Sequence, residues 1–479
     1  MITKKTALRS AIVAATLVPS LSMASGYKLN EQSAGGMGTA HAGRAAMAED
    51  ASVVFYNPAA MTELESAQLT AGFTYINAEG QFEGNATDAS GAYPITGADD
   101  ADPYSNGGNY LGESFIPFFY YAQPINDKFA VGLGLFVPFG TNTDYDDDFV
   151  GGAFADETSL SSISIAPTFA YKVNDEFSIG GGIDIVYMEG TLSKHVDSIP
   201  TAVHPSYIGF ENHFEVSGDD WGYGWNLGAY YKLSEATTLG FAYRSEIEMT
   251  LEGDSEFAEE FSYYDPSANA GAGGIVDLGT VRPQASKVPL TTPQSATFSA
   301  THQLTDAVLL QAGATWTGWS SFEYFDVIAT ENLADLTPDV SDIAANNGLG
   351  NGYIGHIVEK WEDVWAIAIG GTYQFNDKLA LRAGYAYDQS PVTDEYRTAR
   401  VPSSDRQWLT FGAGYKFDQN LSVDVAAGYL FMYPMDLAET NKDLNDETIV
   451  NPVSGQAVKV EGEYEIDVFG LSAQVNYSF

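Results

Sequence analysis

FSIGGGIDIVY, at residues 177–187, alternates between apolar residues and small or polar residues with a period of two. The apolar set, from Phe177 and Ile179 to Ile183, Ile185 and Tyr187, falls on one face of an extended strand. A soluble sandwich turns such a face inward to a core, whereas a membrane barrel turns it outward to lipid. The stretch therefore predicts a β-strand with one apolar face, and the rest of the chain decides what covers that face.

Similar runs recur along the chain at about fourteen places. They lie near residues 67–76, 114–123, 128–137, 161–172, 177–188, 221–232, 238–251, 295–303, 308–319, 364–375, 379–388, 406–417, 421–431 and 467–479. Tight turns such as 125–128 and 375–378 alternate with long connections. An even strand count with short periplasmic turns and long external loops is typical of outer-membrane barrels. We therefore predict an all-β fold, a 14-stranded antiparallel transmembrane β-barrel, with residues 67–479 forming the barrel and its extracellular loops.

Both ends of the chain support export to the outer membrane. Lys4, Lys5 and Arg9 precede an apolar run at 11–21 and small residues at 22–24, which predicts a cleaved signal peptide over residues 1–24. The rest of the chain has no apolar run of the ~18 residues that a membrane-spanning helix needs. The final stretch, LSAQVNYSF at 471–479, is a strand that ends on an aromatic residue, a feature typical of substrates of the barrel assembly machinery. We expect the mature barrel to contact outer-membrane lipid and lipopolysaccharide.

The composition excludes several classes of protein. Lys and Arg number 21 against 64 Asp and Glu, so the net charge is −43, and such an acidic surface repels nucleic acid. Cysteine is absent, which excludes disulfides and thiolate metal sites and suits a chain that passes through an oxidising periplasm. We therefore expect neither redox chemistry nor a cofactor.

The six histidines form no recognisable catalytic motif, so we do not expect an enzyme such as a barrel-embedded lipase. His195, His204 and His213 share one loop, but a spacing of nine residues is not typical of metal ligands. We interpret these three side chains as solvated and predict no metal site.

Residues 25–66 do not fit the barrel pattern. They are rich in glycine and alanine without strand alternation, and Asn57-Pro58-Ala59 is a turn signal before a short helical stretch. A barrel of this size needs a plug or leaves an open pore. Val53, Val54 and Phe55 would be exposed to water in a flexible tail, so we predict that residues 25–66 form an N-terminal hatch inside the barrel.

The sequence resembles the FadL/TodX family of outer-membrane transporters for long-chain fatty acids and aromatic hydrocarbons. The resemblance covers almost the whole mature chain. It is carried by SGYKLNE at 25–31, AMAEDA at 46–51, Asn57-Pro58-Ala59, WGYGWN at 221–226, YRSE at 243–246, SPV at 390–392 and DRQWL at 405–409. It implies a fourteen-strand barrel with an N-terminal hatch, which agrees with the independent strand count.

The resemblance also implies a transport route. Ligand binds first in an apolar groove among the external loops, then at an interior site, and leaves sideways through a gap in the wall after the hatch moves. Fatty-acid carboxylate binding is implied for Lys194, which replaces a family arginine, and for Asp388, Arg397 and Arg406. A hatch or gating role is implied for Tyr27, Asn57, Pro58, Ala59 and Gly140, the last at a kink in the third strand.

The expected function is therefore passive transport of long-chain fatty acids with lateral release of the ligand. The retained basic residues favour fatty acids over aromatic or other uncharged hydrocarbons, which need no charged partner. A general porin is a further alternative, and the predicted hatch argues against it. Lumenal charges such as Asp184, Arg244, Arg382 and Asp424 are interpreted as pairs that stabilise the barrel interior.

Overall fold

A computed structural model describes residues 26–88, 94–96, 105–197, 211–257, 260–265, 274–280, 283–330, 352–448 and 457–479. The predicted signal peptide and His204 lie outside the described residues. The strands, in chain order, are β1 (Gln68–Asp88), β2 (Pro94–Thr96), β3 (Glu113–Pro124), β4 (Phe129–Phe136), β5 (Gly140–Asp144), β6 (Glu157–Lys172), β7 (Phe177–Asp197), β8 (Glu211–Lys232), β9 (Thr237–Arg244), β10 (Ile247–Phe257), β11 (Glu260–Asp265), β12 (Gly274–Thr280), β13 (Gln284–Thr292), β14 (Gln294–Thr305), β15 (Val308–Gly318), β16 (Tyr324–Ala329), β17 (Tyr353–Val358), β18 (Val364–Gln374), β19 (Leu379–Asp388), β20 (Arg406–Lys416), β21 (Leu421–Met432), β22 (Met435–Thr440) and β23 (Ala457–Ser478).

The described helices are short. They are α1 (Ala34–Met37), α2 (Val53–Tyr56) and the 3₁₀ helices Arg44–Ala46, Pro58–Glu63 and Trp319–Ser321. No helix of the described chain combines the length and the apolar character needed to cross a membrane.

The strands form a closed antiparallel barrel of fourteen strands, which confirms the predicted fold. Several of the fourteen barrel strands are divided into two numbered elements, such as β4 with β5 and β9 with β10, and β11 and β12 form a separate sheet. Barrel strands that are neighbours follow one another in the chain, and β1 closes the barrel by pairing with β23 from Gln68↔Ser478 to Asp88↔Ala457. Closure of a barrel pairs the backbone donors and acceptors of its edge strands, which a lipid environment requires.

The apolar register faces outward. In β7, Ile179 and Ile183 expose 42% and 53% of their surface, whereas Ser178 and Asp184 on the opposite register expose 1% each. Exposed aromatic residues cluster near one end of the barrel, at Phe129, Phe169, Tyr231, Tyr373, Phe375, Tyr415, Phe417, Tyr477 and Phe479. An apolar outer band with aromatic residues near its edge is the surface that a bilayer covers. The sequence prediction of an inside-out barrel is confirmed.

The tight turns at one end, here called the turn end, share one local chemistry. In the turns at 125–128, 173–176, 233–236, 375–378 and 417–420, the second residue is Asn, Ser or Asp. Its side-chain oxygen accepts the backbone N–H groups two and three residues later, at 2.8 to 3.3 Å. These side chains satisfy donors that a reversal of the chain leaves unpaired, so the sequence fixes the hairpins locally.

At the opposite end, here called the loop end, strands run well beyond the predicted limits. β1, β7, β8 and β23 each extend about ten residues further than the alternation indicated. The strand predicted at 238–251 is wrong as a single element, because it is divided into β9 and β10 at Ser245 and Glu246. The Ser245 hydroxyl and backbone N–H bond to the backbone of Trp225, which replaces the ladder at the break.

The third barrel strand is interrupted at residues 137–139, between β4 and β5. β3 pairs with β4 only as far as Phe118↔Phe136, and beyond that point β5 pairs with β6. Within the described chain no ladder joins β3 to β5. Pro138 lies in the interruption and has no N–H to donate to a ladder. The kink expected at Gly140 is therefore centred slightly earlier, and Gly140 is the first residue at which pairing resumes.

Residues 26–66 pack against strands on different sides of the barrel. α1 contacts β20, β21 and β23, Arg44–Ala46 contacts β9 and β14, and Pro58–Glu63 contacts β6, β7 and β8. Glycines in the wall permit this approach, since a Cβ at Gly228 would lie 2.0 Å from Asn57 Oδ1 and one at Gly240 would lie 1.9 Å from the Ala45 carbonyl oxygen. The glycines of the inward register thus make room for this segment.

Candidate functional site

Tyr27 lies in a cage of four aromatic rings. Its ring centroid is 4.6 Å from Trp319, 5.5 Å from Phe322, 5.7 Å from Trp361 and 6.0 Å from Phe139. The ring is 1% exposed and belongs to a large apolar cluster contributed by β6, β7, β8, β10 and the loop-end segments. The predicted gating residue therefore anchors the N-terminal segment in the apolar interior near the loop end.

The segment around Tyr27 pairs with the interrupted strand. The Gly140 N–H donates to the Tyr27 carbonyl, and the Leu29 N–H donates to the Pro138 carbonyl, both at 2.9 Å. Lys28 and Phe139 face each other across this short antiparallel bridge. The Gln32 amide also donates to the Val137 carbonyl at 2.6 Å. The N-terminal segment thus satisfies the Val137 and Pro138 carbonyls and the Gly140 N–H, while the Ser162 hydroxyl of β6 satisfies the backbone N–H and carbonyl of Phe139.

An interior cavity lies beside this junction. It is lined by Gly26, by Thr141 and Thr143 of β5, by Arg406, and by Ala78, Leu111, Val401, Pro402, Ser403, Leu430, Met432, Ile466 and Val468. Most of this lining is apolar, and Arg406 supplies a cationic group. The cavity therefore touches the N-terminal segment, the interrupted strand and one of the predicted carboxylate partners.

Arg406 and Asp388 are cross-strand neighbours in β20 and β19, and both are less than 5% exposed. Arg406 also donates to the Ser403 hydroxyl at 2.8 Å. A second interior cavity is lined by Asp388 together with Glu31 and Arg44 of the N-terminal segment. The predicted lumenal orientation of Asp388 and Arg406 agrees with this position, and Arg406 lies in the electrostatic field of Asp388.

Arg397 is held by its own loop and by the neighbouring strand β22. It donates to Asp394 at 2.7 Å, to the Asp436 carbonyl at 2.6 Å and to the Ser403 carbonyl at 3.4 Å. Because Ser403 contacts both Arg397 and Arg406, the two arginines are neighbours in one loop-end region. The hydrogen bonds of Arg397 fold this loop.

Lys194 is half-buried near the loop end of β7, in the electrostatic field of Arg400 and Glu439. Sequence reasoning missed Arg400, which is 3% exposed. Its guanidinium bonds Thr158 Oγ1 at 3.2 Å, and its Nε has no hydrogen-bond partner among the described residues. The available signal was its place in RTARVPSSDR at 397–406, where it lies between the two arginines that the family resemblance selected.

Two carboxyl groups lie close to these cations. Burial raises the pKa of Glu439 to about 7, although Arg400 and Lys194 act in the opposite direction. Burial likewise raises the pKa of Glu359 to about 8, against hydrogen bonds from Trp361 and Thr398. The loop-end interior is therefore a low-dielectric region in which an unpaired charge is costly.

Other inward charges pair as the sequence indicated. Arg244 forms an ion pair with Asp184, and Arg382 contacts Asp424 at 2.6 Å and Glu49 at 3.2 Å. Since Glu49 belongs to the N-terminal segment, the last pair joins that segment to the wall.

Asn57, Pro58 and Ala59 are buried at the start of a 3₁₀ helix. The Asn57 side-chain oxygen accepts the Ala59 N–H at 3.1 Å, and its amide donates to the carbonyls of Ala45 and Ala229 at 2.6 and 3.0 Å. Asn57 therefore caps the helix and attaches it to β8, a contact within and around the N-terminal segment.

The interpretation of His195 as a solvated side chain is wrong, because it is only 8% exposed. It faces His213 across the β7–β8 hairpin, and both rings contact Asp156 at 3.2 Å. Residues 195 and 213 are separated by eighteen positions but lie opposite each other in the register, a relation that spacing rules for helices and loops do not detect.

A closed fourteen-strand barrel with an apolar outer surface and a partly apolar interior defines the class of outer-membrane transport barrels. Over residues 15–479 the sequence matches the family described as outer membrane protein transport protein (OMPP1/FadL/TodX), and the chain belongs to this family. It is therefore a protein of the bacterial outer membrane.

The chain is similar to characterised relatives over nearly its full length. It is 30% identical to "Outer membrane protein P1" of Haemophilus influenzae over 95% of both chains. It is 28% identical to "Long-chain fatty acid transport protein" of Escherichia coli O6:H1, over 87% of this chain and 89% of that protein. The crystal structure of a Pseudomonas aeruginosa FadL homologue matches with a TM-score of 0.77 at 27% identity, covering 95% of this chain and 100% of that chain.

Proposed function

We propose that this protein carries long-chain fatty acids passively across the outer membrane and releases them sideways through the wall. Residues 25–66 act as the hatch. The observation that carries the proposal is the apolar cavity that touches Gly26, β5 and Arg406 together. An acyl chain fits the apolar lining, and a carboxylate in this dehydrated interior needs a cationic hydrogen-bond donor.

Arg406 and Arg400 are the proposed carboxylate partners, with Lys194 as an additional positive charge. Arg400 is supported by its buried Nε, which lacks a hydrogen-bond partner among the described residues. Arg397 contributes by holding the loop that carries both arginines, since its own donors bond that loop and attach it to Asp436 of β22. Asp388 balances Arg406 when the ligand is absent.

Lateral release is supported by the interrupted third strand. Residues 27–29 hydrogen-bond the Pro138 carbonyl and the Gly140 N–H, on the stretch of the third strand that β3 does not pair. A movement of the N-terminal segment would therefore expose an opening between β3 and β5. Tyr27 would have to leave its aromatic cage during this movement, and Gly140 marks the edge of the opening. A ligand in the adjacent cavity would then reach lipid without crossing a polar lumen.

Binding of oleate to purified variants tests the carboxylate assignment. Arg400→Gln and Arg406→Gln should each weaken oleate binding on the order of tenfold, because a hydrogen bond to a charged group contributes about 1.5 to 3 kcal/mol. Lys459→Gln removes the same charge at a half-exposed position and should leave binding unchanged. Thermal unfolding of each variant should be recorded alongside, since Arg406 has a structural partner in Asp388. Normal oleate affinity in folded arginine variants would contradict the assignment.

Uptake of uncharged aromatic hydrocarbons is the second candidate, and the aromatic cage around Tyr27 favours it. Such a ligand would stack on these rings without needing a cation. The same arginine variants separate the two candidates, because they should retain binding of an aromatic hydrocarbon such as toluene. A protein that binds toluene but not oleate would support this second candidate.

A further inference from the structure

A cluster of two imidazoles and one carboxylate lies at the loop end, apart from the cavities described above. His195 Nε2 is 3.2 Å from one oxygen of Asp156, and His213 Nδ1 is 3.2 Å from the other. The three side chains can each direct one ligand atom so that all these atoms lie within 4.8 Å of one another. Ligand atoms at about 2.1 Å from a tetrahedral zinc ion are themselves about 3.4 Å apart. The three ligand atoms would therefore have to move only slightly closer together to coordinate one ion.

The side chains of the cluster are positioned by the surrounding backbone. His195 and His213 are paired across β7 and β8, which fixes the separation of their Cα atoms. Asp156 donates its backbone N–H to the Ser193 carbonyl, and its carboxylate accepts the Ser193 hydroxyl at 2.7 Å. The backbone N–H of His195 donates to the Gly152 carbonyl at 2.8 Å, which joins β7 to the segment that carries Asp156. The Ser193 hydroxyl orients the Asp156 carboxylate, as hydrogen bonds to metal-ligating carboxylates do.

Burial and charge favour a cation at this position. Asp156 is 6% exposed and His195 8%, while the His213 side chain is 30% exposed and leaves a side open to solvent. Glu215 lies 3.9 Å from the second nitrogen of His213 and adds negative charge. The net charge of −43 further raises the local concentration of divalent cations.

We propose that Asp156, His195 and His213 form a binding site for one divalent transition-metal ion, zinc in particular. Two imidazoles and a carboxylate with an open position are a ligand set that zinc accepts. The ion would join the segment at 145–156 to the β7–β8 hairpin and so stabilise the loop end. Nothing in this site rests on the proposed transport function, although the site adjoins two of the proposed carboxylate partners: Asp156 lies in the electrostatic field of Arg400, and His195 follows Lys194 in β7.

Calorimetric titration of the full detergent-solubilised protein with zinc chloride tests the proposal. We expect about one zinc ion per chain, and at least about tenfold weaker binding in His195→Gln, His213→Gln and Asp156→Asn, since each loses one of three protein ligands. His302→Gln, a histidine on β14 that contacts Thr237 near the turn end, is the matched control and should bind zinc normally. Unchanged zinc binding in the three ligand variants would overturn the proposal.

A second titration distinguishes direct coordination from loose association with the acidic surface. Cobalt(II) bound in place of zinc should give visible absorption bands in the wild-type protein and not in His195→Gln. Heat-modifiable migration on gels would verify that the variant barrel is folded. If folded wild-type protein shows no cobalt spectrum and no stoichiometric zinc binding, the three side chains form a hydrogen-bonded cluster only and the proposal is wrong.

Discussion

At the scale of single residues, the interior cations differ in how fully their donors are used. The Arg397 guanidinium donates to its own loop and to β22, whereas Arg400 retains a buried Nε without a hydrogen-bond partner in the described chain. A buried donor without a partner costs about 1 to 3 kcal/mol, so such a group is a stronger candidate for binding an anion than a satisfied one. Family resemblance selected Arg397 and missed Arg400, because it compares residue types and not hydrogen bonds.

The buried carboxyl of Glu359 predicts a pH dependence of stability. Its folded pKa of about 8 lies above the ordinary 4.5, so the protonated form stabilises the fold. This stabilisation is complete below about pH 4.5 and is lost as the pH rises through about 8. Glu359→Gln imitates the protonated carboxyl. At pH 9 its free energy of unfolding should therefore exceed that of wild type by about 1 to 3 kcal/mol, and it should unfold at a higher temperature.

The measurement is thermal unfolding at pH 5 and pH 9 for wild type and Glu359→Gln. The difference between the two proteins should be small at pH 5 and large at pH 9. Glu235→Gln, at an exposed position in a tight turn, serves as the control and should follow wild type at both pH values. An equal response of wild type and Glu359→Gln to pH would show that Glu359 is not the group responsible.

At the scale of elements, the N-terminal segment pairs with the third barrel strand where that strand is interrupted. Residues 27–29 form a short antiparallel bridge with residues 138–140, in place of the neighbouring wall strand. The third barrel strand cannot pair with β3 at this point, because Pro138 lacks a backbone N–H and the pairing of β3 with β4 ends at Phe118. The proposed gate thus consists of two backbone hydrogen bonds, the Gln32 side-chain contact and the packing of Tyr27 in its aromatic cage.

A disulfide across this bridge should lock the gate. Lys28 and Phe139 are directly opposed in a pair without mutual backbone hydrogen bonds, where Cα atoms lie about 4.5 Å apart, which a disulfide can span. The chain has no cysteine, so Lys28→Cys with Phe139→Cys creates a single defined pair. Uptake of labelled oleate should fall at least about fivefold on oxidation and recover on reduction, since the segment could no longer leave the strand.

Lys28→Cys alone, treated with the same oxidant, controls for loss of the lysine charge and should not respond to reduction. If the oxidised double variant transports oleate at the rate of its reduced form, movement of residues 27–29 away from the third strand is not part of the route.

At the scale of the whole molecule, the wall strands pair with one another and the N-terminal segment packs against several sides of the barrel interior. The strands of the wall pair with one another around the barrel, apart from the interruption between β4 and β5 and the break between β9 and β10. Residues 26–66 reach several sides of the interior through ion pairs and capped helices. Deletion of residues 26–66 should therefore leave a folded barrel that admits small polar solutes. Liposome swelling in sugars of increasing size measures this opening.

Wild-type protein in the same liposomes should remain nearly closed to these sugars. A deletion variant that folds, judged by heat-modifiable migration, and yet stays impermeable would contradict the role of residues 25–66 as a plug. In a deletion variant that also carries Phe139→Cys, oleate uptake should not respond to oxidation or reduction, because position 28 is absent and no disulfide can form.

The sequence by itself determined the barrel, the strand number and the orientation of its faces. Alternation with a period of two leaves one apolar face per strand, and the turn residues fix the hairpins through contacts two or three positions away. These are local properties, so the strands of residues 177–187 and the turn at 375–378 could be read directly from the chain.

The tertiary structure alone decided which distant residues meet. The division of β9 from β10, the bridge between Lys28 and Phe139, and the meeting of His195 with His213 depend on register between segments far apart in sequence. The same holds for Arg400, whose partners come from β6 and β22. Alternation describes each strand in isolation and carries no information about its neighbour's offset, so these contacts become visible only once the barrel is closed.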